Sequence, residues 1–210
     1  DLLVVGDPAM KKSEEFAMTL RGELTPLPFA QLEADSVAAI WAPQAKVLEG
    51  RAATEGAFKA LAPSYGVLHL ASHGLLDDHN PLYSSIAFAQ TDTVDDGFLE
   101  GREVMKMQLR AGIVILSACN TARGTISRGE GINGLLRSFF IAGVPTVVAS
   151  LWSVEDEATA RMMTDFHRLL RKGEHPADAL AAAQRRFIEG DERFRHPFFW
   201  AGFLVYGDSE

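Results

Sequence analysis

The chain has 210 residues, 47% of them hydrophobic, enough for one ordinary α/β domain with a real core. Its net charge of −8 and the lack of any Lys/Arg-dense run exclude a nucleic-acid footprint, which needs clustered cations to displace counterions. No apolar stretch nears the roughly 20 residues that span a bilayer and no signal peptide opens the chain, so a soluble, cytoplasmic protein with no membrane partner is expected.

Short apolar runs bounded by turn residues recur along the chain, at Leu2 to Val5, Val67 to Ala71, Ile113 to Leu116, Val144 to Ala149 and Phe203 to Tyr206, with Lys46 to Leu48 a weaker candidate. Such runs, with helix-length segments between them, mark a parallel sheet covered on both faces. The helical patterns are Glu33 to Trp41, Thr54 to Leu61, Ile132 to Ala142, Glu155 to Arg171 and Pro176 to Ile188. Ser153 is placed to cap the fourth, with Asp156 three residues on; Gly173 ends it and Pro176 opens the fifth. Tyr83 to Leu109 breaks the alternation: Ser84 to Ala89 reads as a strand and Asp96-Gly97 as a turn, giving a hairpin inserted in a doubly wound sheet. The opening strand at Asp1 points to an upstream region outside this sequence. The late apolar run points to a single domain, 1–210, that closes a longer parent.

Reactive groups in parallel sheets collect beyond the carboxyl ends of the strands. The run Val67-Leu-His-Leu-Ala-Ser-His73-Gly74 carries an imidazole to such an end, and Ile113-Val-Ile-Leu-Ser-Ala-Cys119-Asn120 carries the chain's one thiol. A single cysteine excludes an internal disulfide and a cysteine-cluster metal site. Two readings of Cys119 stand at this point: a small buried apolar group, or a nucleophile. A thiol needs a base to ionise at neutral pH, and an imidazole suits that task. Gly74 leaves its backbone open, so its N–H and that of Cys119 are candidates to hold an oxyanion. His73 and His69 also have structural readings; His69, which shares parity with His73 in the strand, is expected to be a buried packing or hydrogen-bonding group.

Taken together, Leu70-Ala-Ser-His73-Gly74, Leu116-Ser-Ala-Cys119-Asn-Thr121, Gly129-Glu-Gly131, Gly143 to Asp156 and His196-Pro-Phe-Phe-Trp200-Ala201 resemble the CHAT family, which is similar to caspases, separases, metacaspases and gingipains. The resemblance runs in order from about Pro28 to Gly207. It implies a caspase-like three-layer α/β/α sandwich, with a mostly parallel six-stranded sheet and an inserted β-hairpin. It also implies a cysteine endopeptidase with His73 and Cys119 as its dyad and no cofactor. Members often stand behind helical repeats that sense a partner, which implies a regulatory partner reached through an upstream region. Some relatives use the fold without proteolysis.

Three rival motifs lose to their context. Gly129-Glu-Gly131-Ile-Asn-Gly134 has dinucleotide-site spacing but lies well beyond its strand, so the glycines read as loop flexibility beside the nucleophile. Ser117-Ala-Cys119-Asn-Thr121 lacks the flanking glycines of a nucleophile elbow. His69, His73 and His79 lack the helical spacing of a zinc pair, so no metal is expected. Phe194, Phe198, Phe199, Trp200 and Phe203 read as core beneath the last strand.

Peptidases of the resembling fold hold substrate as an extended strand, which makes Ser150-Leu151-Trp152, past the exit of Val144 to Ala149, the candidate edge. Glu155 and Asp156 follow it. A carboxylate there would favour Arg or Lys in a protein or peptide substrate, and the alternative is stabilisation of a helix N-terminus. Trp152 offers an apolar pocket instead. Arg123 and Arg128, near the nucleophile, are conceivable self-cleavage points.

Overall fold

The computed structural model describes residues 1–10, 27–90, 95–117, 119–120 and 129–208, with the backbone alone at 119 and 120. Arg123 and Arg128 lie outside the described residues.

The main sheet is built from β1 (Leu2–Pro8), β2 (Ala45–Gly50), β3 (Val67–Ala71), β7 (Ile113–Leu116), β9 (Thr146–Ser150) and β10 (Phe203–Gly207), in the order β10-β9-β7-β3-β1-β2. Every neighbouring pair is parallel except β10 with β9. Its apolar runs are continuous because alternate residues enter two different cores. Leu3, Val5, Leu68, Leu70, Val114, Leu116 and Val147 pack on one face with α2 (Glu55–Leu61) and α4 (Glu130–Ile141). On the other face Leu2 and Val4 meet α1 (Pro28–Trp41), while Ile113, Ile115 and Val148 meet α5 (Asp156–Leu170) and α6 (Pro176–Glu189). Phe58, Phe139 and Phe166 are fully buried at the helix–sheet contacts, each contributing roughly 1.5–3 kcal/mol.

The helices begin where their first turns are satisfied. Pro28 and Pro176 stand at the opening turns of α1 and α6, where a missing N–H costs nothing. The cap of α5 is Glu155, not Ser153: Glu155 is extended and accepts the Ala158 N–H at 2.9 Å, so the helix starts at Asp156. Gly6 lets α1 lie close on β1, since a Cβ there would come within 2.4 Å of Ala34 Cβ. Of the three glycines at the start of α4, Gly129 precedes the helix with a left-handed φ of +81°, whereas Gly131 and Gly134 lie inside it and serve close approach rather than loop flexibility. A Cβ at Gly134 would lie 2.2 Å from the Pro81 carbonyl oxygen, so this glycine lets the segment Pro81–Tyr83 pack directly on the helix. In the late aromatic cluster, Phe194 and Phe203 are buried in the core under α5 and α6, whereas Phe198 is exposed.

The inserted hairpin pairs β5 (Ser85–Ala87) antiparallel with β6 (Phe98–Glu100), and Gly97 takes the left-handed φ of +84° just before β6. It belongs to a second sheet, ordered β6-β5-β4-β8, in which β4 (His73–Leu75) and β8 (Cys119–Asn120) continue the paths of β3 and β7. A four-residue helix, α3 (Gly101–Val104), follows the hairpin and carries a capping box between Glu100 and Glu103. No helix among the described residues is long and apolar enough to cross a membrane.

Candidate active site: two strands that stay in register beyond the sheet

β3 and β7 are parallel neighbours with Val67 opposite Ile113 and Leu70 opposite Leu116. β4 and β8 pair with His73 opposite Cys119 and Gly74 opposite Asn120, the same 46-residue offset. The two strands therefore remain in step while they leave the main sheet, with a break at Ser72 in one and between Leu116 and Cys119 in the other. Ser72 turns its hydroxyl to the Ala87 carbonyl at 2.6 Å, which fixes the departure of β4 toward the hairpin. Register partners in neighbouring strands lie about 5 Å apart between backbones. Positions 73 and 119 thus sit side by side at the carboxyl end of the sheet. His73 itself is buried, 4% exposed.

The segment after β9 lies at the same end of the sheet. Ser150 pairs with Phe203 of β10, its hydroxyl donates to the Trp152 carbonyl at 2.6 Å, and the Leu151 N–H donates to Gly202 O at 2.9 Å. Leu151 is 46% exposed, and the Trp152 indole N–H is held by Phe198 O at 2.9 Å. Glu155 caps α5 and forms a 3.2 Å ion pair with Arg193. Asp156 Oδ2 accepts the Phe29 N–H at 2.8 Å, joining the first turns of α1 and α5. Burial pushes the Asp156 carboxyl above its ordinary value, and the nearby charges of Glu33, Glu155 and Asp7 add to this against the pull of the Phe29 N–H. Asp7 stands at the exit of β1 with a φ of 39°, its own carboxyl raised by burial. Sequence reasoning passed over it, although Gly6-Asp7-Pro8 ends an apolar run as His73 and Cys119 do.

A match to the family model for the CHAT domain covers residues 1–208. The chain belongs to the CHAT domain family. Tetratricopeptide repeat protein 28 of Homo sapiens is 29% identical to this CHAT domain over 111 residues, 53% of the chain, and its Mus musculus counterpart is 28% identical over the same span. The domain spans 4% of the length of these curated relatives.

Among solved structures, the CHAT domain superposes on the Arg-specific cysteine proteinase gingipain R with a TM-score of 0.58 at 12% identity, covering 99% of this chain and 46% of that one. Separase, from the Saccharomyces cerevisiae separase–securin complex, gives a TM-score of 0.54 at 13% identity, covering 99% and 12%. Both likenesses show the caspase-like fold. A groove of about 480 Å³ lies between α1, α5 and α6, and His73 is not among the residues that line it. It is floored by Phe29, Leu32, Ala160, Phe187 and Phe194.

Proposed function

We propose that this CHAT domain is a cysteine endopeptidase in which His73 activates Cys119. The observation that carries the reading is the in-register pairing of β4 with β8, which sets the backbones of His73 and Cys119 side by side. The membership of the family and the likeness to two cysteine-peptidase folds support it. In the proposed cycle His73 takes the thiol proton and Cys119 Sγ attacks the peptide carbonyl. The Gly74 and Cys119 N–H groups hold the oxyanion. His73 then protonates the leaving amine, and water, deprotonated by His73, releases the acyl group and restores the thiol.

The substrate is a protein or peptide strand laid along Ser150-Leu151-Trp152, with Glu155 and Asp156 candidates to favour a basic residue before the cut. The carboxylates of Asp7 and Asp156, close enough to sense each other, support a basic preference, and gingipain R is itself described as Arg specific. The full span acts as one domain of a longer protein, as the length of the tetratricopeptide relatives suggests, and an upstream region or its partner regulates it.

The test is cleavage of a diverse peptide library read by mass spectrometry, with wild type compared against Cys119→Ala and His73→Ala. Cuts confined to wild type are expected, with a loss of at least about 10³-fold in either variant. Asp156→Ala then reports on residue preference. Cuts that persist in Cys119→Ala sink the dyad. Absence of cuts by the full-length parent favours a catalytically silent scaffold.

A further inference from the structure

His69, four residues before His73, has no part in the proposed chemistry, yet it stands at the centre of a buried polar chain. His69 Nε2 lies 2.8 Å from Glu33 Oε1, and His69 Nδ1 lies 3.1 Å from His167 Nε2. The Trp41 indole N–H donates to His167 Nδ1 at 3.1 Å. Glu33, His69 and His167 are at most 1% exposed. The chain crosses three elements: Glu33 and Trp41 belong to α1, His69 to β3 and His167 to α5.

An indole N–H donates and never accepts. His167 Nδ1 must therefore be bare, and its single proton sits on Nε2. That N–H faces His69 Nδ1, which must accept it, so the proton of His69 sits on Nε2 and points at the Glu33 carboxylate. One donor-only ring fixes the tautomers of both histidines, keeps both neutral and satisfies all four ring nitrogens. A proton added to either ring sets two N–H groups face to face: His167 Nδ1–H against the indole, or His69 Nδ1–H against His167 Nε2–H.

The surroundings oppose that extra proton. Burial holds the His167 pKa well below its ordinary value, with His69 adding to the effect. The Phe166 ring meets the His167 ring edge-on with centroids 5.8 Å apart, while β1 packs Leu2 and Val4 in the apolar cluster that holds Trp41. Glu33 is the charge facing His69 from α1, and Asp156 lies farther along the α1–α5 seam, close enough to sense Glu33. The Arg171 guanidinium covers the Trp41 ring from outside at 5.2 Å and is held by Gln44 at 2.7 Å. The neighbouring Arg168 is paired with Asp165 at the surface.

We infer that Glu33, His69, His167 and Trp41 form a proton-sensitive strap that fastens α1 and α5 to β3, the strand leading to His73, and loosens on acidification. The His167 pKa is lowered on folding, so the strap's contribution is complete above the unfolded value of 6.5 and is lost as pH falls from there toward the folded value. The inference does not depend on the peptidase reading, and Cys119→Ala protein serves equally well.

The experiment has two arms. Imidazole ¹⁵N NMR on folded protein at pH 7 is expected to find Nε2 protonated and Nδ1 bare in both His69 and His167, and the His167 ring still neutral at pH 6. Urea titrations between pH 7.5 and 5 are expected to show the folding equilibrium constant falling by up to about tenfold per pH unit more steeply in wild type than in His167→Phe, the effect of one proton. An Nδ1-protonated ring at His69 or His167, or an imidazolium at His167 in the folded protein at pH 6, overturns the strap. Equal acid slopes in wild type and His167→Phe do the same. If His167→Phe fails to fold, the ¹⁵N spectrum of the wild type decides alone.

Discussion

Two polar assemblies tie helices to the sheets from opposite faces, and they solve the problem of buried polarity differently. On one face the Glu33–His69–His167–Trp41 chain is dry, and its two central groups are neutral. On the other, Lys59 of α2 meets Glu55 one turn back, Glu103 at 3.0 Å and Asp95 at 3.3 Å, fastening α2 to the hairpin and α3. Glu55 is buried and also accepts the Gly97 N–H at 3.1 Å, while Lys59 stays 30% exposed. Burial alone would lower the Lys59 pKa, and the hydrogen bonds to Glu55 and Glu103 overturn it and raise it. Each assembly buries one carboxylate, and a buried charge needs a donor: the dry face meets Glu33 with a neutral imidazole N–H, whereas the ionic cluster meets Glu55 with a cation kept at the water's edge.

The largest break in this contrast is expected from His69→Ala. The substitution leaves the Glu33 carboxylate buried without its donor and the His167 N–H without its acceptor, and it opens a cavity in a strand that is fully covered. A loss of about 3–5 kcal/mol is expected, read as the shift in urea midpoint at pH 7. Added salt should leave that deficit unchanged, because screening ions do not reach the site.

How far the sequence could foresee these arrangements depends on the range of the interaction. The five clear strands and all five helical patterns were legible because each rests on local periodicity, as in Val67–Ala71 and Ile113–Leu116, whose bounds agree with the structure. The pairing of His73 with Cys119 was anticipated only as a condition, that their strands be neighbours. His69 was legible as a buried packing or hydrogen-bonding group, but its partners Glu33 and His167 lie 36 and 98 residues away and no local pattern links them. The hairpin was readable from Gly97, whereas its place in a separate sheet with β4 and β8 was not. That place depends on the bend at Ser72, whose hydroxyl partner is 15 residues distant. The cap of α5 was misjudged for a simpler reason: Ser153 and Glu155 are both capable acceptors, and only the turn geometry chooses between them.

Replacing Lys59 by Met sharpens the comparison at smaller cost. Glu55 would lose its cation but keep the Gly97 N–H, so a deficit of about 1–3 kcal/mol is expected at pH 7, discounted because Lys59 is partly wet. The sign of the pH response distinguishes the two sites. Burial already raises the Glu55 carboxyl above its ordinary value, with Lys59 restraining the rise. Without Lys59 the carboxyl takes up a proton more readily in the folded state, so the deficit should shrink as pH falls from 7 toward 5. A deficit that grows on acidification would show that Glu55 is not the group being relieved.

The smallest effect separates the ionic cluster from the local chemistry of the same helix. Thr54 caps α2 by accepting the Ala57 N–H at 3.1 Å, a bond that involves no charge and no other element. Thr54→Ala should cost about 1 kcal/mol, the usual value of a lost cap. Its cost should add to that of Lys59→Met if the cap and the cluster stabilise α2 independently. Glu55 is the first residue of this helix, however, so the cap and the buried carboxylate share one turn. A double-mutant cycle in urea decides the point. Additive costs would make the cluster a fastening between elements, whereas a coupling above about 0.5 kcal/mol would mean that the cap holds the Glu55 backbone in the position from which its side chain reaches Lys59.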